Sequence, residues 1–169
     1  MLISDDFEID KSHFIGRRKG KRFAVLGKSG SGKTNTLFTI VEGWHNFGFP
    51  SIIIDPSGQF ADAKTHLNAI VAGREENADI TLTTDNAEAL ADLVVNERVS
   101  IVLAVGLYGA DEALACLKVF VDAFWSKTLA QKSPEPFALI IDEAHRYAPQ
   151  GGVTPLSKTL IDLASFSRH

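Results

Sequence analysis

Hydrophobic positions along the chain change period several times, and each change marks an element. Phe23-Ala24-Val25-Leu26 is a short apolar run that reads as a strand. From Lys33 to about His45, Leu37, Phe38, Ile40, Val41 and Trp44 recur at helical spacing, and Gly48 and Pro50 close that helix. Ser51-Ile52-Ile53-Ile54-Asp55 is continuous instead of alternating. That is the pattern of a strand covered on both faces in a parallel sheet, and it breaks at Pro56-Ser57-Gly58. Residues 61–79 show no period except at Asn68-Ala69-Ile70-Val71, which suits a short strand, and Ile80-Thr81-Leu82-Thr83 alternates like one. Asp85 and Glu88 have capping-box spacing for a helix to about Asn96 whose core face is Leu90, Leu93 and Val94.

Ser100 to Val105 is a second continuous buried strand. A long helix is then predicted from Asp111 to about Ala130, with Leu114, Leu117, Val121, Phe124, Trp125 and Thr128 on one face. Ser133-Pro134-Glu135-Pro136 is a stiff connector to Phe137-Ala138-Leu139-Ile140-Ile141, which reads as a central strand. Thr154-Pro155 has the form of an N-cap followed by proline at the first helical position. The last helix runs to about Phe166 with Leu156, Leu160, Ile161 and Ala164 inward. Near the start, Phe14-Ile15-Gly16 suits a short strand before a basic turn at residues 17–22. Strands alternating with helices predict an α/β fold, a mostly parallel sheet flanked by helices over residues 23–169, with residues 1–22 as an N-terminal extension.

A chain of 169 residues is one domain on length and can bury a substantial core. Its 17 basic and 21 acidic residues leave a net charge of −4, so bulk charge does not make it a nucleic-acid coat. Contact with nucleic acid then requires a local basic patch, for which Arg17-Arg18-Lys19-Gly20-Lys21-Arg22 is the densest candidate; the alternative is a solvated turn. The single cysteine, Cys116, allows no internal disulfide and no cysteine-based zinc cluster, and suits a small buried residue on a helix in a reducing compartment. The first ten residues are not a signal peptide and no apolar run approaches a membrane span, so a soluble cytoplasmic protein without a membrane partner is expected.

The chemistry concentrates at two places. Gly27-Lys28-Ser29-Gly30-Ser31-Gly32-Lys33-Thr34 fits G-x-x-x-x-G-K-[ST] between a predicted strand and a predicted helix. Its glycines let successive N–H groups face inward as an anion nest, and the helix adds the positive end of its dipole. Lys33 then reaches the β- and γ-phosphates of ATP, and the Thr34 hydroxyl ligates Mg²⁺. The second place is Asp142-Glu143, two carboxylates at the end of an apolar strand. Asp142 suits the acid that holds Mg²⁺, and Glu143 the base that polarises an attacking water. Asp55, also at a strand end, either serves the nucleotide site through water or Mg²⁺ or caps its own turn.

Residues 28–36, Ile52-Ile53-Ile54-Asp55-Pro56-Ser57-Gly58 and Leu139-Ile140-Ile141-Asp142-Glu143-Ala144-His145-Arg146-Tyr147 together resemble the HerA/FtsK superfamily, most closely the ATP-binding core of HerA-type proteins. The resemblance covers residues 23–169. It implies a RecA-like P-loop ATPase with Walker A at Lys33 and Thr34, extended by Asn35, and Walker B at Asp142 and Glu143. It further implies a homo-oligomer, a hexameric ring moving double-stranded DNA, that works with a nuclease or an effector of antiviral defence. Ring motors complete each site with an arginine from the next subunit; Arg146, Arg168 and the turn at Arg17-Arg18 are candidates, with surface arginines as the alternative. Gln59 stands where the family commonly has an acid. In the family a further strand follows a segment like Ser165-Phe166-Ser167-Arg168-His169. The expectation is thus a sheet lacking C-terminal strands, in a fragment or in a chain completed by another polypeptide. A second functional class also fits: a nucleotide-binding regulatory or scaffold subunit with little hydrolysis.

Overall fold

A computed structural model of the chain describes residues 2–4, 7–8, 15–16, 19–20, 24–28, 30–60, 64–132, 135–147 and 155–166. Two small antiparallel pairs come first, β1 (Leu2–Ser4) with β2 (Phe7–Glu8) and β3 (Ile15–Gly16) with β4 (Lys19–Gly20). Then follow α1 (Lys33–Asn46), β5 (Ser51–Asp55), α2 (Lys64–Leu67), β6 (Ala69–Gly73), α3 (Ala87–Glu97) and β7 (Ser100–Ala104). The chain continues with α4 (Ala110–Ala130), β8 (Ala138–Ile141), a 3₁₀ turn at Ala144–Arg146 and α5 (Pro155–Phe166).

Strands β6, β7, β5 and β8 lie in that order in one sheet, all parallel. Ile53 stands opposite Val102 on one side and Ile140 on the other. Side chains of a strand alternate between faces, so a run of isoleucines feeds two cores at once. Ile52, Ile54, Ile101 and Leu103 join the core beneath α3, α4 and α5. Ile53, Val71, Val102 and Ile140 join the core beneath α1, where Val41, Leu37 and Phe38 meet them. Helix α3 buries Ala87, Leu90, Ala91, Val94 and Val95, and α4 buries Ala113, Cys116, Leu117, Phe120, Val121 and Phe124, both at helical spacing.

Several expectations are corrected. Ala24–Lys28 form no strand and Leu26 is 90 % exposed, because no strand pairs with this segment among the described residues; Phe23 lies outside them. Strand β8, expected in the middle of the sheet, is the last strand of the described sheet, and only Ile140 in it is buried. A continuous apolar run reports that both faces are covered; it says nothing about neighbours in the plane of the sheet. Residues 80–83 make only an isolated bridge, Ala72 to Ile80. Asp85 is not the cap of α3. The Asn86 side chain accepts the N–H of Thr83 at 2.9 Å and donates to Thr81 O at 2.8 Å, and this turn sets the helix start one residue later. Leu93 and Ile161 lie off the buried faces of their helices, one residue from Val94 and Leu160, about 100° round the helix. Ala164 and the connector's Ser133-Pro134 lie outside the described side chains.

Candidate active site

All four central strands are parallel, so their C-terminal ends share one edge, and the polar groups gather there. Helix α1 packs on β5 and β8 and joins β5 through a short turn, where Trp44 Nε1 donates to Pro50 O at 3.0 Å. Its C-terminus is therefore tied to the start of β5, and its N-terminus lies towards the edge where β5 and β8 end. The backbone N–H of Asp142 donates to Ile54 O at 3.1 Å and that of Val105 to Asp55 O at 3.0 Å, so Asp142 and Asp55 stand side by side at the same edge.

The described residues of the loop before α1 turn sharply and leave N–H groups open. Gly30 and Gly32 take φ of +75° and +85°, which a side chain would strain. Ser31 N–H donates back to Lys28 O at 3.2 Å, closing the loop. At Gly27 a Cβ would come within 2.4 Å of Ser31 Oγ, so a side chain there requires the Ser31 hydroxyl to turn. Gly32 caps α1 with no side-chain acceptor, and the first helical bond is Thr36 N–H to Gly32 O at 3.0 Å. The N–H groups of residues 33–35, including Asn35, thus have no acceptor within the helix. Lys33 Nζ donates to Lys28 O at 3.0 Å, which folds it over the loop. Thr36 and Thr39 bond back to carbonyls of their own helix, whereas Thr34 Oγ1 has no hydrogen-bond partner among the described residues. Ser29 lies outside the described residues.

At the end of β8, Asp142 is 6 % exposed. Its Oδ1 accepts the Glu143 N–H at 2.9 Å and its Oδ2 lies 3.4 Å from Ser57 Oγ. Glu143 has φ +47°, a left-handed conformation costing a non-glycine residue about 1–2 kcal/mol. It turns the chain out of the strand into the 3₁₀ turn, which Arg146 N–H to Glu143 O at 2.9 Å holds. Glu143 is half-exposed, with Oε2 3.2 Å from Nδ1 of the exposed His145. Tyr147 anchors the turn in the core, and burial pushes its phenol up to about 12; Arg146 acts against this shift, and the charges of Asp55 and Asp142 add to it.

Asp55 is fully buried and its oxygens accept four hydrogen bonds from its own turn. Oδ1 takes the N–H groups of Ser57 and Gly58 at 2.9 Å each and the Ser57 hydroxyl at 2.7 Å, and Oδ2 takes the Phe60 N–H at 2.7 Å. The turn-capping role is thus the one its contacts display. Pattern reasoning passed over Ser57, Phe60 and Tyr147, which tie Asp55, α1 and Asp142 together. The signal available was the Asp-Pro-Ser-Gly turn itself, whose serine is placed to bond its own aspartate. Arg146 is exposed beside this edge, while Arg168 and Arg17-Arg18 lie outside the described residues.

The family described as "Helicase HerA, central domain" matches residues 9–105, more than half of the chain. The chain belongs to this HerA family. A search of curated proteins found no match, and neither did a search of solved structures. The HerA match spans the loop, α1, β5 with its turn, β6, α3 and β7; Asp142 and Glu143 follow it in the chain. The HerA chain thus carries a P-loop ATPase core of RecA-like fold, with its parallel sheet flanked by helices. Its residues fit Mg²⁺ with a nucleotide. Among the described residues no three His, Cys, Asp or Glu side chains converge, and Mg²⁺ bound through one or two carboxylates plus substrate phosphates needs no such cage. The buried carboxylate of Asp142 and the Thr34 hydroxyl, without a hydrogen-bond partner among the described residues, would supply the protein's share. No helix among the described residues is long and apolar enough to cross a membrane.

Proposed function

We propose that this HerA-type chain binds and hydrolyses ATP with Mg²⁺ as a subunit of a ring, hexameric by the family resemblance, that moves double-stranded DNA and serves a nuclease or an antiviral effector. The observation that carries the nucleotide reading is the shared edge. A glycine loop with open N–H groups begins α1 there, and the buried Asp142 ends β8 there, with α1 packed on β8.

In this reading the N–H groups of residues 33–35 and Lys33 bind phosphate oxygens, with Lys33 leaving Lys28 O to do so. Thr34 and Asp142 hold the metal, which when bound offsets charge on the β- and γ-phosphates. The Glu143 carboxylate accepts a proton from the water that attacks the γ-phosphorus. The Glu143 carboxylate lies beside His145 while that of Asp142 faces Ser57, which suits separate tasks for the two acids. Double-stranded DNA, the ring and the partner come from the resemblance, and an arginine from a neighbouring subunit, Arg146 or Arg168, completes the site.

The test is ATP turnover with and without duplex DNA. Lys33→Ala is expected to abolish hydrolysis. Glu143→Gln is expected to bind ATP normally and lose about 10²–10⁴-fold in turnover, the usual share of a general base. Equal turnover in wild type and Glu143→Gln removes Glu143 as the base. ATP binding without turnover in the wild type supports the regulatory or scaffold reading, which the exposed approach to the loop, with Leu26 in solvent, also suits.

A further inference from the structure

The Ser57 hydroxyl is the direct link between the turn after β5 and the acid at the end of β8. Its Oγ lies 2.7 Å from Asp55 Oδ1 and 3.4 Å from Asp142 Oδ2, between two buried carboxylates. A hydroxyl has one hydrogen for the two acceptors; at these distances it lies toward Asp55 Oδ1, with Asp142 Oδ2 at the long limit and in reach when the hydroxyl turns. Asp55 Oδ1 already receives the N–H groups of Ser57 and Gly58, so it has donors without the hydroxyl. Asp142 Oδ2 has no other donor among the described residues, and its partner oxygen Oδ1 is held by the Glu143 N–H. A carboxylate turns readily about its last bond; with the Glu143 N–H on Oδ1 and the Ser57 hydroxyl turned to Oδ2, that rotation stops.

We propose that Ser57 is a positioning residue for Asp142, fixing the carboxylate so that its remaining lone pairs face the metal that accompanies the nucleotide. This rests on the nucleotide-site reading above. The position of Oγ is set by the backbone: Asp55 Oδ1 holds the Ser57 and Gly58 N–H groups and Oδ2 the Phe60 N–H, bonds that do not use the hydroxyl hydrogen. Carboxylates that ligate metals depend on such partners for their orientation. Serine suits the place sterically as well. Residue 57 is exposed on its outer side, so a change there leaves the core intact.

The experiment is equilibrium titration of the chain with a fluorescent, non-hydrolysable ATP analogue, in Mg²⁺ and in EDTA. Ser57→Ala is expected to bind the analogue as wild type does in EDTA. In Mg²⁺ it should bind roughly three- to tenfold more weakly, the range of one hydrogen bond, and need correspondingly more Mg²⁺ for half-saturation. Ser57→Thr, which keeps the hydroxyl, should stay within about twofold of wild type, well inside the effect of losing that bond. Three results overturn the inference alone: Ser57→Ala equal to wild type in Mg²⁺, an equal loss with and without Mg²⁺, or Ser57→Thr behaving as Ser57→Ala. A wild-type chain that binds no analogue in either condition overturns the nucleotide-site reading and this inference with it.

Discussion

Phe38 and Phe60 stack with ring centroids 4.2 Å apart and planes inclined by 21°. Phe38 stands near the start of α1, and Phe60 ends the turn whose N–H groups Asp55 gathers. The pair therefore locks the phosphate-loop helix to the turn beside Asp142. Phe60→Ala removes a fully buried ring and is expected to cost about 3–5 kcal/mol, read as a lower urea midpoint. Nucleotide affinity should fall as well, under conditions where the variant remains folded. An unchanged midpoint would show that the ring does not hold the two parts together.

Asp55→Asn tests the buried bracket itself. An amide has one acceptor oxygen where the carboxylate has two, so in either orientation its nitrogen faces N–H donors, those of Ser57 and Gly58 or that of Phe60. The loss of charge-assisted bonds and the donor–donor contact together are expected to cost about 2–3 kcal/mol in chemical unfolding. A variant as stable as wild type would mean that the four bonds do not hold the turn.

Gly27→Ala brings a Cβ to within 2.4 Å of Ser31 Oγ and forces the Ser31 hydroxyl into another rotamer. Nucleotide affinity is expected to drop a few-fold, since a side chain pushed off its rotamer costs about 0.5–1.5 kcal/mol. Adding Ser31→Ala removes the oxygen and leaves Ser31 Cβ at an ordinary 3.4 Å, so the double variant should regain much of the affinity. Calorimetric titration of the two variants decides the matter: no recovery in the double variant means that the clash is not the cause.

Tyr147 makes stability depend on alkaline pH. Its phenol is held up to about 12, against an unfolded value near 10, chiefly because burial disfavours the charged form. Its contribution is thus fully present below pH 10, falls as pH rises because the unfolded chain releases the proton first, and is lost once pH passes about 12. The size is roughly 2–3 kcal/mol, two pKa units at 1.36 kcal/mol each. Between pH 9 and 12 the urea midpoint of wild type should fall relative to that of Tyr147→Phe, because only wild type carries this term. Parallel curves would remove Tyr147 as the source.

Much of the fold was legible because each helix and each covered strand writes a local period. Ile52-Ile53-Ile54 announced a strand with two apolar faces, and both faces are covered. Cys116 and Val121 announced the buried side of α4. The places where reading failed share a cause. Phe23 to Leu26 has strand composition, but Ala24–Lys28 have no partner to ladder with among the described residues, and β8 has central-strand composition at the end of the described sheet. Hydrophobic pattern records what covers a strand above and below, not what stands beside it.

What the sequence determined by itself was the set of residues for the chemistry: a glycine loop, a lysine and a threonine after it, and two acids closing an apolar strand. These depend on residue types a few positions apart, and local backbone geometry carries such spacing directly. Only the tertiary structure decided how the acids divide. Asp55 gives its oxygens to its own turn, while Asp142, brought beside it by the pairing of β8 with β5, takes Ser57 as a partner from far along the chain. A contact made between strands depends on sheet order and register, which the periodicity of neither strand contains.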